Sequence, residues 1–534
     1  MRPTPRPRTA AFVAAVLAVA SAWQAASVFR PNEWITSNLT VDDTYLALRI
    51  AQGWAEHGFP TFDGIHRTNG FQPLWGLILW VLAAATSGPD ELLRAALLLT
   101  AGCNLAAGWT LARVARVLMP HRPSDAWVAA LWAGYMLTGR PSLIALENGL
   151  LAMIVTLVLR GVVELVRRPG KGPPPVPRRF WLAIGLGLAA MVWTRLDAAV
   201  LAAAALSGLA GWAIRHRAWS GMLTLVAILC VAAIGYGAFN VWANGMLTPV
   251  SGAVKRSIAG AQPQALVGAQ LAADAAGAAN TVLKHAAFGC GLGHPRALNS
   301  AARVLIPLVI AAALISGRLA ASGWAWLAVS AVFAHALVIR VWLSAYFADA
   351  LWYYAPQCML AALACGCAAA AWTERYTVAA VLVGARLVAA LWMWTAVPRE
   401  SAELNQYAAA RWLRENIPES ERAASWNAGH LAFFSERTVV NLDGLANDAA
   451  YLTLLRAGTA GSDYLDSLRV NWVVDYAAGA DDAPARLWNW LSRDEWREHI
   501  RIGSIPAAQQ LVASRRGSLA PPQPRDGAPT DPRP

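Results

Sequence analysis

The chain has 534 residues, of which 57% are hydrophobic and only 14% are charged, and its formal net charge is +12. Soluble domains carry about 25% charged residues, so the composition excludes an ordinary soluble protein and indicates a polytopic membrane protein. The basic residues stand in short clusters between apolar runs, as in the cytoplasmic loops of membrane proteins, and this pattern argues against a nucleic-acid partner.

Apolar runs of nearly membrane-spanning length recur before residue 397. The arginine-rich N-terminus and the basic loop VRRPGKGPPPVPRRF are both expected in the cytoplasm. An even number of crossings must separate them, yet five candidate segments lie between. We interpret the weakest segment, 71–87, as a helix in the outer interface; the alternative is that it crosses and another segment does not. The eleven predicted spans are 10–29, 91–118, 124–138, 148–166, 180–194, 197–214, 220–243, 302–317, 322–340, 355–372 and 377–396.

This topology divides the chain into three predicted regions. Residues 1–397 are expected to form an all-α polytopic membrane domain with outer juxtamembrane helices, and its first span stays uncleaved although it resembles a signal peptide. Residues 398–514 have a globular composition, and their strand and helix patterns predict a small extracytoplasmic α/β domain. Residues 515–534 are rich in proline and predict a disordered tail.

The first outer loop begins with two adjacent carboxylates, Asp42 and Asp43. Carboxylates beside a bilayer are costly to place, and function is the usual reason to keep them. Tyr45, His66 and Asn69 follow in the same loop, which ends in the sequence TNGFQPLW. One aspartate would suffice as an N-cap for the next helix, so the pair predicts a catalytic loop on the membrane surface.

A carboxylate in this position can act as the general base for a sugar hydroxyl that attacks an anomeric carbon. A phosphate leaving group needs no separate acid, and Arg or Lys are its expected partners. Nucleotide sugars are cytoplasmic, so an outer active site requires a polyprenyl-phosphate sugar as the donor. The candidate ligands for the donor phosphate on the outer side are Arg195, Lys255, Arg256 and Arg340.

Several of these residues have a second, structural interpretation. Arg195 can form an intramembrane pair with Asp197, and Lys255 can be a solvated loop charge. Glu147 can cap a helix or pair with Arg140, and Tyr353 and Tyr354 can anchor the chain at the membrane interface instead of contacting the sugar.

Four motifs occur in order along the chain. After the DDTY loop come TRLD at 194–197, NGMLTPVSGAVK at 244–255 and WNAGHLAFFSERTVVNLDGLAND at 426–448. The set resembles the GT-C superfamily of membrane glycosyltransferases, especially the bacterial branch with mycobacterial-type arabinofuranosyltransferases and relatives of protein mannosyltransferases. The resemblance covers most of the chain and implies that Asp42 is the catalytic base, with Asp43 in support. A second acidic site is common in that superfamily and only Glu147 matches it, which leaves a bound divalent cation in doubt.

The sequence therefore predicts an inverting glycosyltransferase in a bacterial inner membrane. Its donor would be a polyprenyl-phosphate sugar, and its acceptor an extracytoplasmic glycan, lipid or protein. The alternatives are a transporter or flippase of lipid-linked sugars and a structural scaffold. No nucleotide fingerprint or zinc spacing is present, so no cofactor is assigned. The residues expected to contact substrate are Tyr45, His66, Asn69, Glu147, Asp197 and Tyr354.

Overall fold

The computed structural model describes residues 7–167, 176–258, 269–289, 323–347, 350–395, 401–478, 481–484, 496–502 and 511–516. Most of this part of the chain is α-helical. The helices up to residue 258 are α1 (Pro7–Val28), α2 (Asn32–Asn38), α3 (Asp42–His57), α4 (Pro73–Ala85), α5 (Pro89–Leu118), α6 (Ser124–Met136), α7 (Asn148–Val166), α8 (Arg178–Thr194), α9 (Ala199–His216), α10 (Trp219–Asn244) and α11 (Val250–Ile258). The later ones that precede the C-terminal region are α12 (Ala269–Gly289), α13 (Gly323–Phe347), α14 (Ala355–Trp372) and α15 (Thr377–Thr395).

Seven helices in the described part are long and apolar enough to cross a membrane, which confirms a multi-pass membrane protein. They are Arg8–Val28, Pro89–Leu118, Asn148–Val166, Leu196–His216, Trp219–Asn244, Trp352–Trp372 and Thr377–Thr395.

The number of eleven spans stays a prediction. Two of the expected spans, 124–138 and 180–194, correspond to the shorter helices α6 and α8. The predicted span 302–317 lies outside the described residues, and α12 falls where the apolar pattern predicted no span. Segment 71–87 contains α4, whose thirteen residues extend about 20 Å and fall short of the ~30 Å hydrocarbon core.

Close helix packing depends on small residues. Gly108 of α5 has no room for a Cβ because the Trp132 ring of α6 lies against it. The same indole donates to the Asn104 carbonyl at 2.9 Å. Without a side chain at Gly108 the two backbones approach closely, which is the usual way in which helices associate within a membrane.

The C-terminal region combines helices with a sheet. Its helices are α16 (Ala402–Asn416), α17 (Ala428–Ser435), α18 (Ala449–Ala457) and α19 (Ser462–Ser467). Its strands are β1 (Arg422–Ser425), β2 (Val439–Asn441), β3 (Val470–Ala478), β4 (Asp481–Pro484), β5 (Trp496–Ile502) and β6 (Leu511–Arg516). The strand order is β2-β1-β3-β6-β5, with β4 also paired to β3. Strand β1 is parallel to both neighbours, whereas β3–β6 and β5–β6 are antiparallel.

The predicted domain boundaries stay predictions. The boundary near 397 and most of the proline-rich tail lie outside the described residues. What the structure does show is that α17 packs directly on α3 of the first loop, through the Tyr45 ring and those of Phe433 and Phe434. The C-terminal region and the first loop therefore share one core.

Candidate active site

A small polar cavity of about 80 Å³ lies where the first loop meets the ends of several helices. Four charged side chains line it: Asp43, Glu147, Arg195 and Lys255. Each comes from a different part of the chain, namely the start of α3, the turn before α7, the end of α8 and α11. Such a convergence of polar groups in a recess is the usual form of a binding or active site.

Lys255 contacts two other residues that line this cavity. Its ammonium Nζ lies 3.5 Å from Asp43 Oδ2 and donates a hydrogen bond of 3.0 Å to the hydroxyl of Tyr353. Burial lowers the pKa of Lys255, but the Asp43 charge and Tyr353 outweigh it, so the pKa lies above its ordinary value. Lys255 is therefore charged at neutral pH.

Arg195 is held more tightly, at the C-cap of α8. Its guanidinium donates to Asp197 at 3.0 and 2.6 Å and also pairs with Glu147. The ring of Tyr353 lies 4.3 Å from the guanidinium carbon. Asp197 in turn lies 3.8 Å from Nε2 of His335, so the row of polar contacts continues into α13.

Glu147 lies in an unusual turn. Ala145, two residues before it, has a φ of 56°, which non-glycine residues seldom adopt. The hydroxyl of Thr44 in α3 donates to the neighbouring Ile144 carbonyl at 2.8 Å. The first loop thus fixes the turn that presents Glu147 to the cavity.

The two aspartates of the first loop have different surroundings. Asp43 lines the cavity, and its side chain is 30% exposed. Asp42 does not line it: its carboxylate accepts hydrogen bonds from the backbone N–H groups of Gly429 and His430 at 3.3 and 3.0 Å. The His430 ring adds a third contact, with Nδ1 3.0 Å from Oδ1.

Tyr45 and Asn69 are buried, and their side chains make hydrogen bonds that hold neighbouring segments in place. The Tyr45 hydroxyl is hydrogen bonded to Thr40 at 2.7 Å and to Thr36 at 3.1 Å.

The Asn69 amide donates to Asn240 and to the Thr248 carbonyl, and its oxygen accepts from Asn244 and the Val250 N–H. Neither residue lines the cavity; Asn69 instead fixes the connection that leads into α11 and Lys255.

Four further expected site residues lie outside the cavity lining. The His66 ring is 2.7 Å from Asp63, which raises the His66 pKa against the opposing effect of burial. Arg340 lies 3.9 Å from Asp274, and the ring of Tyr354 stacks on a histidine. Arg256 follows Lys255 directly but does not belong to the cavity lining.

Sequence reasoning missed several residues of this site. Gln72, Ser251 and Leu445 line the cavity and were not chosen as site residues. Tyr353, which the sequence weighed beside Tyr354 as an interface anchor or a platform for the sugar, also lines it, although only Tyr354 was chosen. His430 was not singled out, although it stands inside the motif WNAGHLAFF. No local pattern marks these residues, because their positions depend on how distant helices pack.

Asp443, in the loop after β2, adds a third carboxyl group to the neighbourhood of the two loop aspartates. Burial raises the pKa of Asp443 to about 7, with further contributions from the charges of Asp42 and Asp43. The N–H of Leu445 donates to this carboxyl at 2.8 Å and opposes the rise. In the described part of the chain, no three His, Cys, Asp or Glu side chains form a group that could hold a metal. The sequence left a bound divalent cation open, and it stays open.

Residues 396–519 match a family model described as Domain of unknown function (DUF8728). No curated protein matches the chain. The chain is similar to the oligosaccharyltransferase of Archaeoglobus fulgidus, solved as a complex with Zn and sulfate, with 15% identity, a TM-score of 0.45 and coverage of 86% of this chain and 68% of that one. It is also similar to arabinosyltransferase EmbB of Mycobacterium smegmatis, with 13% identity, a TM-score of 0.39 and coverage of 88% and 44%. The chain spans less than half of that arabinosyltransferase.

Proposed function

We propose that this protein is an inverting membrane glycosyltransferase that uses a polyprenyl-phosphate sugar and an extracytoplasmic glycan, lipid or protein acceptor. One observation carries the proposal: a carboxylate, Asp43, and an ammonium group, Lys255, meet at 3.5 Å in a polar recess of a membrane protein. For glycosyl transfer from a phosphate ester, a base for the acceptor and a cation for the leaving phosphate suffice, and this pair provides both.

In the proposed reaction the donor phosphate takes the place of Asp43 beside Lys255. Asp43 then accepts the proton of an acceptor hydroxyl whose oxygen attacks the anomeric carbon from the face opposite the phosphate. The bond from that carbon to the phosphate oxygen breaks, and its electron pair leaves with the polyprenyl phosphate. Lys255 neutralises the charge that develops on this leaving group.

Asp43 rather than Asp42 is the proposed base, which differs from the assignment that the resemblance implies. The Asp42 oxygens already accept hydrogen bonds from α17, whereas Asp43 faces the cavity. Asp42 is assigned a supporting role. The charge asymmetry of the sequence supports an extracytoplasmic position for this site, and we propose the same for the C-terminal region.

An apolar cavity of about 280 Å³ supports a lipid-linked donor. Its lining includes Met191 and Leu201, which stand on either side of the turn that holds Arg195. Val155 of α7 and Met359 of α14 also line it. A prenyl chain in this cavity would place its phosphate near the polar recess.

The test is turnover of a donor panel by the purified protein. Decaprenyl- and undecaprenyl-phosphate esters of hexoses and of arabinofuranose are incubated with membrane glycolipids as acceptors, and released polyprenyl phosphate is measured. We expect turnover of at least one donor, and we expect Asp43→Asn to lower it by about 10²–10⁴-fold without loss of folded protein. Wild-type turnover in Asp43→Asn would show that the base is elsewhere, and sugar movement across vesicles without transfer would favour the flippase.

A further inference from the structure

The contact between Asp42 and the C-terminal region is buried and directional. His430 is fully buried, and its ring lies 4.1 Å from that of Tyr45, between α3 and α17. The ring nitrogen Nδ1 faces Asp42 at 3.0 Å, whereas Nε2 has no hydrogen-bond partner among the residues that the structure describes. The imidazole therefore presents a single donor, Nδ1–H, to the aspartate.

The geometry of a helix start links Asp42 to its neighbour. Consecutive residues of an α-helix point about 100° apart. Because Asp42 is bound to α17 on one side of α3, the next side chain, Asp43, is aimed away from α17 and towards Lys255. A displacement of the Asp42 backbone in the first turn of α3 therefore moves Asp43 with it.

The C-terminal region also supports other walls of the cavity. The hydroxyl of Thr68 donates to the Asn447 carbonyl at 2.9 Å, and the N–H of Ala449 donates to the Asn244 side chain at the same distance. Leu445 lines the cavity itself. The first loop and the connection after α10 are thus both bonded to residues 445–449.

We infer that His430 is a positioning residue of the proposed reaction. It holds Asp42, and through Asp42 it aims the Asp43 carboxylate into the cavity. The C-terminal region is by this account a wall of the active site rather than a separate acceptor-binding module. The inference rests on the proposed function, because it takes Asp43 as the base.

A set of substitutions at His430 tests the role of its one donor. The amide nitrogen of Asn occupies nearly the place of Nδ1, whereas that of Gln corresponds to Nε2. A misplacement of about 1 Å in a catalytic group can cost about 10²-fold in rate. We therefore expect His430→Ala and His430→Gln to lower kcat by about 10–100-fold, with KM for the polyprenyl-phosphate sugar changed less than twofold, and His430→Asn to recover most of the loss.

Gly429 provides a second variant that leaves the histidine in place. A Cβ at this position would press on the Asp42 backbone carbonyl and carboxylate. Gly429→Ala is therefore expected to lower kcat in the same manner as His430→Ala. The matched control is Gly102→Ala in α5, where nothing lies within 4 Å of an added Cβ and kcat should not change.

The measurements separate this inference from the proposed function. Inactive Asp43→Asn together with unchanged kcat in every His430 and Gly429 variant would overturn the positioning role and leave the base intact. Equal activity of His430→Asn and His430→Gln would also overturn it. Turnover in Asp43→Asn would instead refute the base assignment. If the His430 variants fail to fold, the kcat of Gly429→Ala tests the positioning role: a lowered kcat supports it and an unchanged kcat overturns it.

Discussion

Arg195 and Lys255 both line the cavity, yet their charges are balanced in different ways. The Arg195 side chain is 3% exposed, and its guanidinium is bonded to both Asp197 and Glu147. The Lys255 side chain is 11% exposed and lies 3.5 Å from Asp43, beyond the distance of a close charged hydrogen bond. Two cations of one site thus differ in how firmly their carboxylate partners hold them.

This difference indicates different roles. A buried guanidinium between two carboxylates braces α7, α8 and the start of α9, and it gives up those partners only at a high cost. An ammonium group with a looser carboxylate partner can exchange it for a phosphate. We therefore propose a structural role for Arg195 and phosphate binding for Lys255.

The largest expected effect is on folding. Arg195→Ala leaves the buried Glu147 and the partly buried Asp197 without their cation, and we expect it to lower the free energy of unfolding by about 3–5 kcal/mol. Denaturant unfolding in mixed micelles measures the loss. Arg411→Ala is the control, because the Arg411 side chain is 59% exposed and such surface pairs contribute at most about 1 kcal/mol. Similar losses in the two variants would contradict the bracing role.

A smaller effect, on donor binding, is expected at Lys255. A charged contact to phosphate contributes about 1.5–3 kcal/mol, so Lys255→Ala should weaken binding of the polyprenyl-phosphate sugar by at least about tenfold. Lys255→Arg should recover part of the loss because it restores the charge. Titration of folded protein with the donor checks both variants.

The neighbouring cation provides the control for this titration. Arg256 follows Lys255 on α11 but does not line the cavity, so Arg256→Ala should leave donor affinity unchanged. The opposite result, with normal binding in Lys255→Ala and weak binding in Arg256→Ala, would move the phosphate to the other cation.

Much of the helical architecture was predictable, because a span needs only length and apolarity. Seven of the predicted spans correspond to helices that meet both criteria. Helix α12 did not follow from the apolar pattern, since Asp274 and Lys284 interrupt its hydrophobic surface.

The sequence also identified most of the charged groups at the cavity, because carboxylates and cations are conspicuous in an apolar chain. It did not reveal which of Asp42 and Asp43 faces the cavity. That choice depends on α17, which lies 387 residues further along the chain and binds Asp42. Likewise, Tyr353 and not Tyr354 faces the cavity because of the register of the 3-10 helix Leu351–Tyr354.

Tyr353 contacts both Lys255 and Arg195, one with its hydroxyl and the other with its ring. The hydroxyl accepts from Lys255 at 3.0 Å, while the ring lies 4.3 Å from the Arg195 guanidinium. A cation over an aromatic ring contributes about 2 kcal/mol where water is excluded, and a hydrogen bond that involves a charged group about 1.5–3 kcal/mol. Substitutions of Tyr353 can therefore test the structural role of Arg195 and the binding role of Lys255 separately.

Tyr353→Phe removes the hydroxyl that positions Lys255 and keeps the ring. We therefore expect donor affinity to fall by up to about tenfold, less than in Lys255→Ala because the ammonium group remains, and the free energy of unfolding to fall less than in Tyr353→Leu. Tyr353→Leu removes both parts and should also lower stability, because the Arg195 guanidinium loses the ring beneath it. Tyr354→Phe is the matched control, since Tyr354 does not line the cavity and should leave donor affinity unchanged. A stability loss in Tyr353→Phe as large as in Tyr353→Leu would mean that the Lys255 contact is structural too, and the division between the two cations would fail.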